Sequence, residues 1–384
     1  MMPYSRQQVA DEDISAVVDV LKSDFLTQGP MVSEFERGVA QYCGVEHAVA
    51  TCNATAALHL ACLALGVAQG DVVWVAATSF VASANCALYC GADIDFVDID
   101  SRTGLISVAA LAEKLASYQQ QGKSLPKVLI VVHIAGQSCD MQALAALCGP
   151  LDIAIIEDAS HALGGTYQQQ TIGCCQYSAC SVFSFHPVKP ITSGEGGMLV
   201  SQNGQLVEKA RLLASHGIVK DAEHCLADKP GEWYYEQQQL GFNYRLSDIH
   251  AALGVSQLKR LDTFISRKQA LVQQYNAAFQ HSAIQPLLVQ EDCSSAWHLY
   301  IVQFTDISTR NRCFDALRAA GFGVNLHYLP IPGHPYYQNL GFSPDDYPNA
   351  SHYAEASLSL PLFPDLDAVD VAKVVAICLQ CDSS

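Results

Sequence analysis

Between residues 48 and 200 short apolar runs alternate with stretches of helical periodicity, and this rhythm organises the chain. The runs at residues 72–75, 94–97, 127–132 and 153–156 are β-branched and too short for helices, so each predicts a strand. Residues 83–90 and 111–117 lie between them and read as helices. Strands alternating with helices predict a largely parallel sheet covered on both faces. Upstream, Ile14, Val17, Val18 and Leu21 give residues 11–23 an apolar stripe, and Val32, Phe35 and Val39 do the same for residues 31–42. Residues 48–65 read as a strand, a Thr/Asn/Ala turn and a helix whose apolar face holds Leu58, Ala61, Cys62 and Leu65.

Downstream, residues 198–200 predict a strand and residues 207–215 a helix. Residues 249–279 predict one long helix bridging two lobes, with Leu271, Tyr275 and Phe279 at four-residue spacing. A β-like run at 298–304, a helix at 309–320 closed by Gly321, and a short run at 324–328 complete an α+β unit. The expected organisation is a large α/β domain over residues 1–250 and a smaller α+β domain over 251–384. Residues 216–239 are irregular, with Trp233, Tyr234 and Tyr235 in a row, and suit either a lid over a ligand or a surface against a partner subunit.

Composition narrows this picture. A chain of 384 residues, 50% hydrophobic, has material for two cores. No apolar run reaches the ~18 residues of a membrane span, and residues 1–8 lack signal-peptide character, which places the expected protein in the cytoplasm. A net charge of −17 disfavours nucleic acid and anionic membrane as partners, so any phosphorylated ligand must be held by local donors. The 15 cysteines are irregularly spaced, and the Cys378/Cys381 pair has no second pair at zinc spacing. They read as small hydrophobes or surface thiols, with no metal site.

The candidate chemistry sits in residues 181–198, SVFSFHPVKPITSGEGGM. Pro187 and Pro190 fix the backbone around Lys189, so the turn aims its amine. An amine held away from full hydration attacks carbonyls as the free base, whereas the plain alternative is a surface lysine beside a Gly-rich loop. Residues 151–165, LDIAIIEDASHALGG, deliver Glu157 and Asp158 at a strand's carboxyl end, with His161 just beyond. Ligands of open α/β sheets bind at such ends. A lysine for an aldehyde and a carboxylate for a pyridine nitrogen are what pyridoxal phosphate takes from a protein. Asp158 as a magnesium-holding acid is the weaker reading, because the chain contains no GxxxxGK[ST]. Small residues at Asn53, Ala54, Thr55 and Ala56 open a helix N-terminus to an anion, or make an ordinary Asn cap. Phe80 follows a strand, where it could stack on an aromatic cofactor or fill the core. The loop DFLTQGP at 24–30 suits substrate or a plain connection, and His327 and Tyr328 precede a proline-rich wall. His186 and His327 are open to proton transfer at a substrate or to structural roles.

Together, LTQGP at 26–30, CNATAAL at 52–58, EDASHALG at 157–164, SFHPVKPITSGEGG at 184–197 and NYRLSD at 243–248 resemble the DegT/DnrJ/EryC1/StrS sugar aminotransferases over essentially the whole chain. The resemblance implies the fold-type I architecture of pyridoxal phosphate transferases, with a mostly parallel seven-stranded sheet. It implies Lys189 as the Schiff-base lysine, Asp158 at the pyridine nitrogen, His161 beside the phenolic oxygen and Phe80 on the ring. Ala54, Thr55, Ala56 and Ser184 would hold the phosphate, joined by Asn243 from a neighbouring subunit in a homodimer. Tyr4, Phe25, Leu26, Thr27, Arg245, His327 and Tyr328 would meet the substrate. Within the family, PYSRQ at 3–7 and FVASANCALYCGA at 80–92 are similar to members of pseudaminic acid biosynthesis. That similarity implies a UDP-linked 4-keto-6-deoxy-N-acetyl-hexosamine as amino acceptor and L-glutamate, leaving as 2-oxoglutarate, as donor. A different keto sugar, a sugar dehydratase on the same scaffold and a non-enzymatic cofactor-binding regulator are the alternatives. The lysine speaks against the dehydratase, since histidine replaces it in the deoxygenating relatives.

Overall fold

A computed structural model describes residues 1–227 and 230–383; residues 228 and 229, inside the irregular 216–239 stretch, and Ser384 lie outside the described residues. Strands β1 (His47–Thr51), β2 (Val72–Ala76), β3 (Asp93–Val97), β4 (Val128–Val132), β5 (Ala154–Asp158), β6 (Cys180–Ser184) and β7 (Gly197–Ser201) form one sheet in the order β1-β7-β6-β5-β4-β2-β3. The five strands from β6 to β3 are parallel, and β7 runs antiparallel to both of its neighbours. Strand β4, VLIVV, is buried along its whole length, as a central parallel strand covered on both faces must be.

Helices α1 (Asp11–Leu21), α2 (Pro30–Cys43), α3 (Ala54–Ala64) and α4 (Ala82–Tyr89) form within the predicted segments. The predicted helix over 249–279 is instead two, α5 (Asp248–Leu258) and α6 (Leu261–Phe279). The chain breaks at Arg260, whose guanidinium turns back to the buried Asp13 carboxylate of α1 and the Gln8 carbonyl. Two helices, α7 (Ile307–Ala319) and α8 (Ala368–Asp382), cover a second sheet of β8 (Gln285–Pro286), β9 (Tyr300–Gln303) and β10 (Ser357–Leu360). The run at 324–328 forms no strand, only an isolated bridge from Asn325 to Ser359, because His327 and Tyr328 turn into the cleft instead.

Among the described residues the core falls into four clusters, three around the large sheet and one in the second lobe, and the chain crosses between the lobes in both directions. Ile331, Tyr337, Tyr347, Ala350 and Tyr353 pack with Val73 and Phe96 of the large sheet. Conversely, the first residues belong to the second lobe: Met2 donates to the Gly321 carbonyl at 2.8 Å and bridges Phe322, and Leu362 donates to the Tyr4 carbonyl at 2.9 Å. The irregular segment pairs Ile218 and Val219 with Gln237 and Glu236, and leaves Trp233 exposed.

Candidate active site

On the large sheet the chain reverses between β2 and β4, and the carboxyl ends around that point form one wall of a cavity of about 430 Å³. Ser79 and Phe80 follow β2, Val132 ends β4, Asp158 ends β5 and Ser184 ends β6. The opposite wall comes from the second lobe and the N-terminal arm, through His298, Asn325, His327, Tyr328 and Tyr4.

Lys189 lies at the cavity floor on a turn closed by its N–H to the His186 carbonyl, 2.9 Å. Burial pulls its amine down to about 8 against the opposing attraction of the Asp158 carboxylate. Asp158 is buried; its Oδ2 accepts from the Ser83 hydroxyl at 2.6 Å and its Oδ1 from the Ser160 N–H at 3.2 Å. Ser83 is in turn 2.7 Å from Ser79, so α4 holds the carboxylate through a hydroxyl pair. Its neighbour Glu157 points away from the cavity, to His133 at 2.8 Å and the Ser178 hydroxyl. Consecutive strand residues face opposite sides of a sheet, which leaves one of the two acids for the site.

His161 sits across from Tyr328, its Nε2 3.1 Å from the phenol oxygen, while its Nδ1 is buried with no partner. Burial, then the charge of Lys189, then His327, push its imidazole well below the usual range. Burial does the same to His298, whose ring lies 4.2 Å from that of His161. His327 is lowered to about 3 by burial and Lys189, and its Nδ1 is 2.8 Å from the Ser359 hydroxyl. Three neutral imidazoles therefore surround one amine. Burial raises the phenol of Tyr4, whose ring packs 5.0 Å from that of His327. Phe80 is 57% exposed into the cavity, so one face of its ring is free to be covered.

At the N-terminus of α3, Asn53 caps the helix by accepting the Ala56 N–H at 2.9 Å, and Ala56 does not line the cavity. Ala54 and Thr55 do, and first-turn amides have no acceptor within their own helix. Gly197 of β7 lies against this turn so closely that a Cβ there would stand 2.5 Å from Asn53 and 2.6 Å from the Ala54 nitrogen. A buried amine, a carboxylate fixed by two donors, an unpartnered His161 nitrogen, an open aromatic face and a helix N-terminus on one cavity fit pyridoxal phosphate group for group.

The remaining predicted residues form a second cluster on the rim. Thr27 bridges Ser247, Arg245 bridges Thr51 and Asn243 bridges Ser215, so the loop carrying Phe25 and Leu26 is tied to the strand end that leads into the Asn53 turn. Asp248, fully buried, holds it from below by accepting the Gly29 N–H at 2.8 Å and the Met31 N–H at 2.9 Å. None of Phe25, Leu26, Thr27, Asn243 and Arg245 lines the cavity of its own chain, and no described residue of 216–239 does either. The cavity also includes Ser79, Ser160, Glu195, His298 and Asn325, which the sequence reading does not assign. Glu195 had a local signal, lying six residues after Lys189 in the Gly-rich loop.

The sequence pattern of the DegT/DnrJ/EryC1/StrS aminotransferase family matches residues 7–379. The chain belongs to that family. Among its relatives, Bacillus subtilis SpsC, a spore coat polysaccharide biosynthesis protein, is 37% identical over 381 residues, covering 97% of this chain and 95% of SpsC. The UDP-4-amino-4,6-dideoxy-N-acetyl-beta-L-altrosamine transaminase of Campylobacter jejuni (serotype O:2) is 36% identical over 378 residues, covering 98% and 96%. Helicobacter pylori PseC, an aminotransferase of pseudaminic acid biosynthesis, superposes with a TM-score of 0.89 at 31% identity over 100% of this chain and 99% of PseC. The pyridoxal phosphate form of Streptococcus pneumoniae Spr1654, described as a sugar aminotransferase, gives 0.89 at 29% identity over 100% and 98%. The fold is that of pyridoxal phosphate aminotransferases, and pyridoxal phosphate is the cofactor.

Proposed function

We propose that this protein is a cytoplasmic sugar aminotransferase that moves the amino group of L-glutamate to C4 of a UDP-linked 4-keto-6-deoxy-N-acetyl-hexosamine. The observation that carries the reading is the buried Lys189 amine, depressed to about 8, sharing a cavity with the fixed Asp158 carboxylate. The acceptor rests on the transaminase and PseC relatives, and on a cavity whose outer wall is Tyr4, Asn325, His327 and Tyr328, neutral groups suited to sugar hydroxyls.

Pyridoxal phosphate, when bound, supplies the carbonyl that receives the amino group and the electron sink that acidifies the neighbouring carbon. Ala54, Thr55 and Ser184 would hold its phosphate, Phe80 would cover its ring, Asp158 would face the ring nitrogen and His161 the phenolic oxygen. Lys189 Nζ, as free base, would take the proton from the donor's Cα and return it to the carbon on the far side of the transferred nitrogen, within the reach of a single side chain. On the sugar the same nitrogen runs the transfer in reverse and sets the proton at C4. Burial keeps His161, His298 and His327 from carrying charge near pH 7, which favours Lys189 over these three as the proton carrier. Asn243, Arg245 and the 25–27 loop serve the cavity of a second subunit in a homodimer, which accounts for their place on the rim.

Visible absorbance of the purified protein with added glutamate tests this directly. Wild type is expected to convert its long-wavelength cofactor band to a shorter one, and the UDP-keto sugar to restore it. Lys189→Ala is expected to show neither change. Restoration by a different nucleotide-linked keto sugar, with none by this one, would reassign the acceptor.

A further inference from the structure

Behind the Lys189 turn lies a second, small pocket of about 20 Å³, room for one water-sized occupant. Arg6, Lys189, Lys268 and His298 all contribute to its wall, and no aspartate or glutamate does. In a chain of net charge −17 this is a local arrangement against the general balance.

Lys268 is the residue that demands an explanation. It stands on the inner side of α6, 4% exposed, and its ammonium donates one hydrogen bond, to the Ala296 carbonyl at 3.0 Å. Two further donors remain. The acids of the surrounding segments are engaged elsewhere: Asp13 with Arg260 and Gln257, Asp365 with Gln8 and Arg267. Across the pocket, His298 is neutral and repelled by both lysines, so it offers no counter-charge. Burial alone draws the Lys268 amine down to about 7, and no carboxylate lines the pocket to offset it. A buried cation beside a small pocket whose wall carries no acid is a receptor for an anion.

We propose that this pocket binds one small inorganic monoanion of chloride's size, held by Lys268 at the back of the active site. Lys189 belongs to both walls, so an occupant acts on the active site without entering it. Negative charge there favours the charged form of Lys189 and opposes the free amine. That coupling rests on the proposed function; the binding itself does not.

Crystals of the holoenzyme soaked in bromide test it by anomalous scattering. An anomalous peak within hydrogen-bond distance of Lys268 Nζ is expected near pH 6.5, absent near pH 9 and absent in Lys268→Met. In solution, bromide affinity should fall about tenfold per pH unit above neutrality, because only the ammonium form binds. No peak near pH 6.5, a water in its place, or a peak that survives Lys268→Met overturns the proposal. If that variant does not fold, the pH series on wild type decides. Loss of transamination in any variant would bear on the aminotransferase reading and leave the bromide result intact.

Discussion

Lys189 and Lys268 show how differently a buried amine is announced. The two prolines around Lys189 and the glycines after it make a rigid turn legible in the sequence, and its functional reading needed only Asp158 as a second clue. Lys268 gave no clue, because SRKQALVQQ reads as a solvated helix face; the N-terminal arm and the 298 segment cover it from afar. The Lys189 shift has a kinetic consequence with a definite sign. Its folded value, about 8, lies below the ordinary 10.5, so the free amine fraction grows as pH rises toward 8 and saturates above it. Stopped-flow capture of pyridoxal phosphate by the apoprotein should accelerate about tenfold per pH unit below 8 and level off beyond. A rate that keeps climbing to pH 10 would mean an unperturbed lysine.

At the scale of elements, the close contact between β7 and the first turn of α3 fixes where the phosphate donors point. Gly197→Ala would drive a methyl group into the backbone of Asn53 and Ala54, displacing the turn while leaving the buried apolar residues of β7 in place. Cofactor affinity, measured by absorbance titration, should fall at least ~10-fold, with a stability loss of ~1–3 kcal/mol by chemical denaturation. Much of this architecture was readable in advance: the parallel strands and the flanking helices follow from two periodicities, and the order of the motifs from the family resemblance. What was not readable depends on distant partners. At the break between α5 and α6, Arg260 reaches Asp13, 247 residues away in sequence, and His298 looked like the start of a strand. Ser83 seemed an ordinary helix residue until α4 brought it to Asp158.

For the whole molecule, the rim cluster carries the prediction. Asn243 and the 25–27 loop stand outside their own cavity, and Phe25, Leu26, Trp233 and Leu240 are exposed apolar groups. Sedimentation should give a dimer. Lys189→Ala and Asn243→Ala proteins, each weak alone, should regain activity when unfolded together and refolded as mixed dimers, because one of the two sites then has both residues intact. No gain on mixing would confine each site to one chain. The sequence marked the 24–30 loop as open to substrate or a plain connection, and Asn243 came through the family resemblance alone, since periodicity does not distinguish a rim that serves a neighbour from an ordinary loop.

The N-terminal arm has a consequence for how the chain is made. Met2 reaches Phe322 and Tyr4 reaches Leu362, so a segment made early in synthesis finds its seat only against one made much later. Closing so long a loop costs only logarithmically more than closing a short one, but it cannot begin until its far end exists. Tyr4 therefore reaches the cavity late in synthesis, and a nascent chain holding Lys189 and Asp158 already folded would still lack one wall of its site.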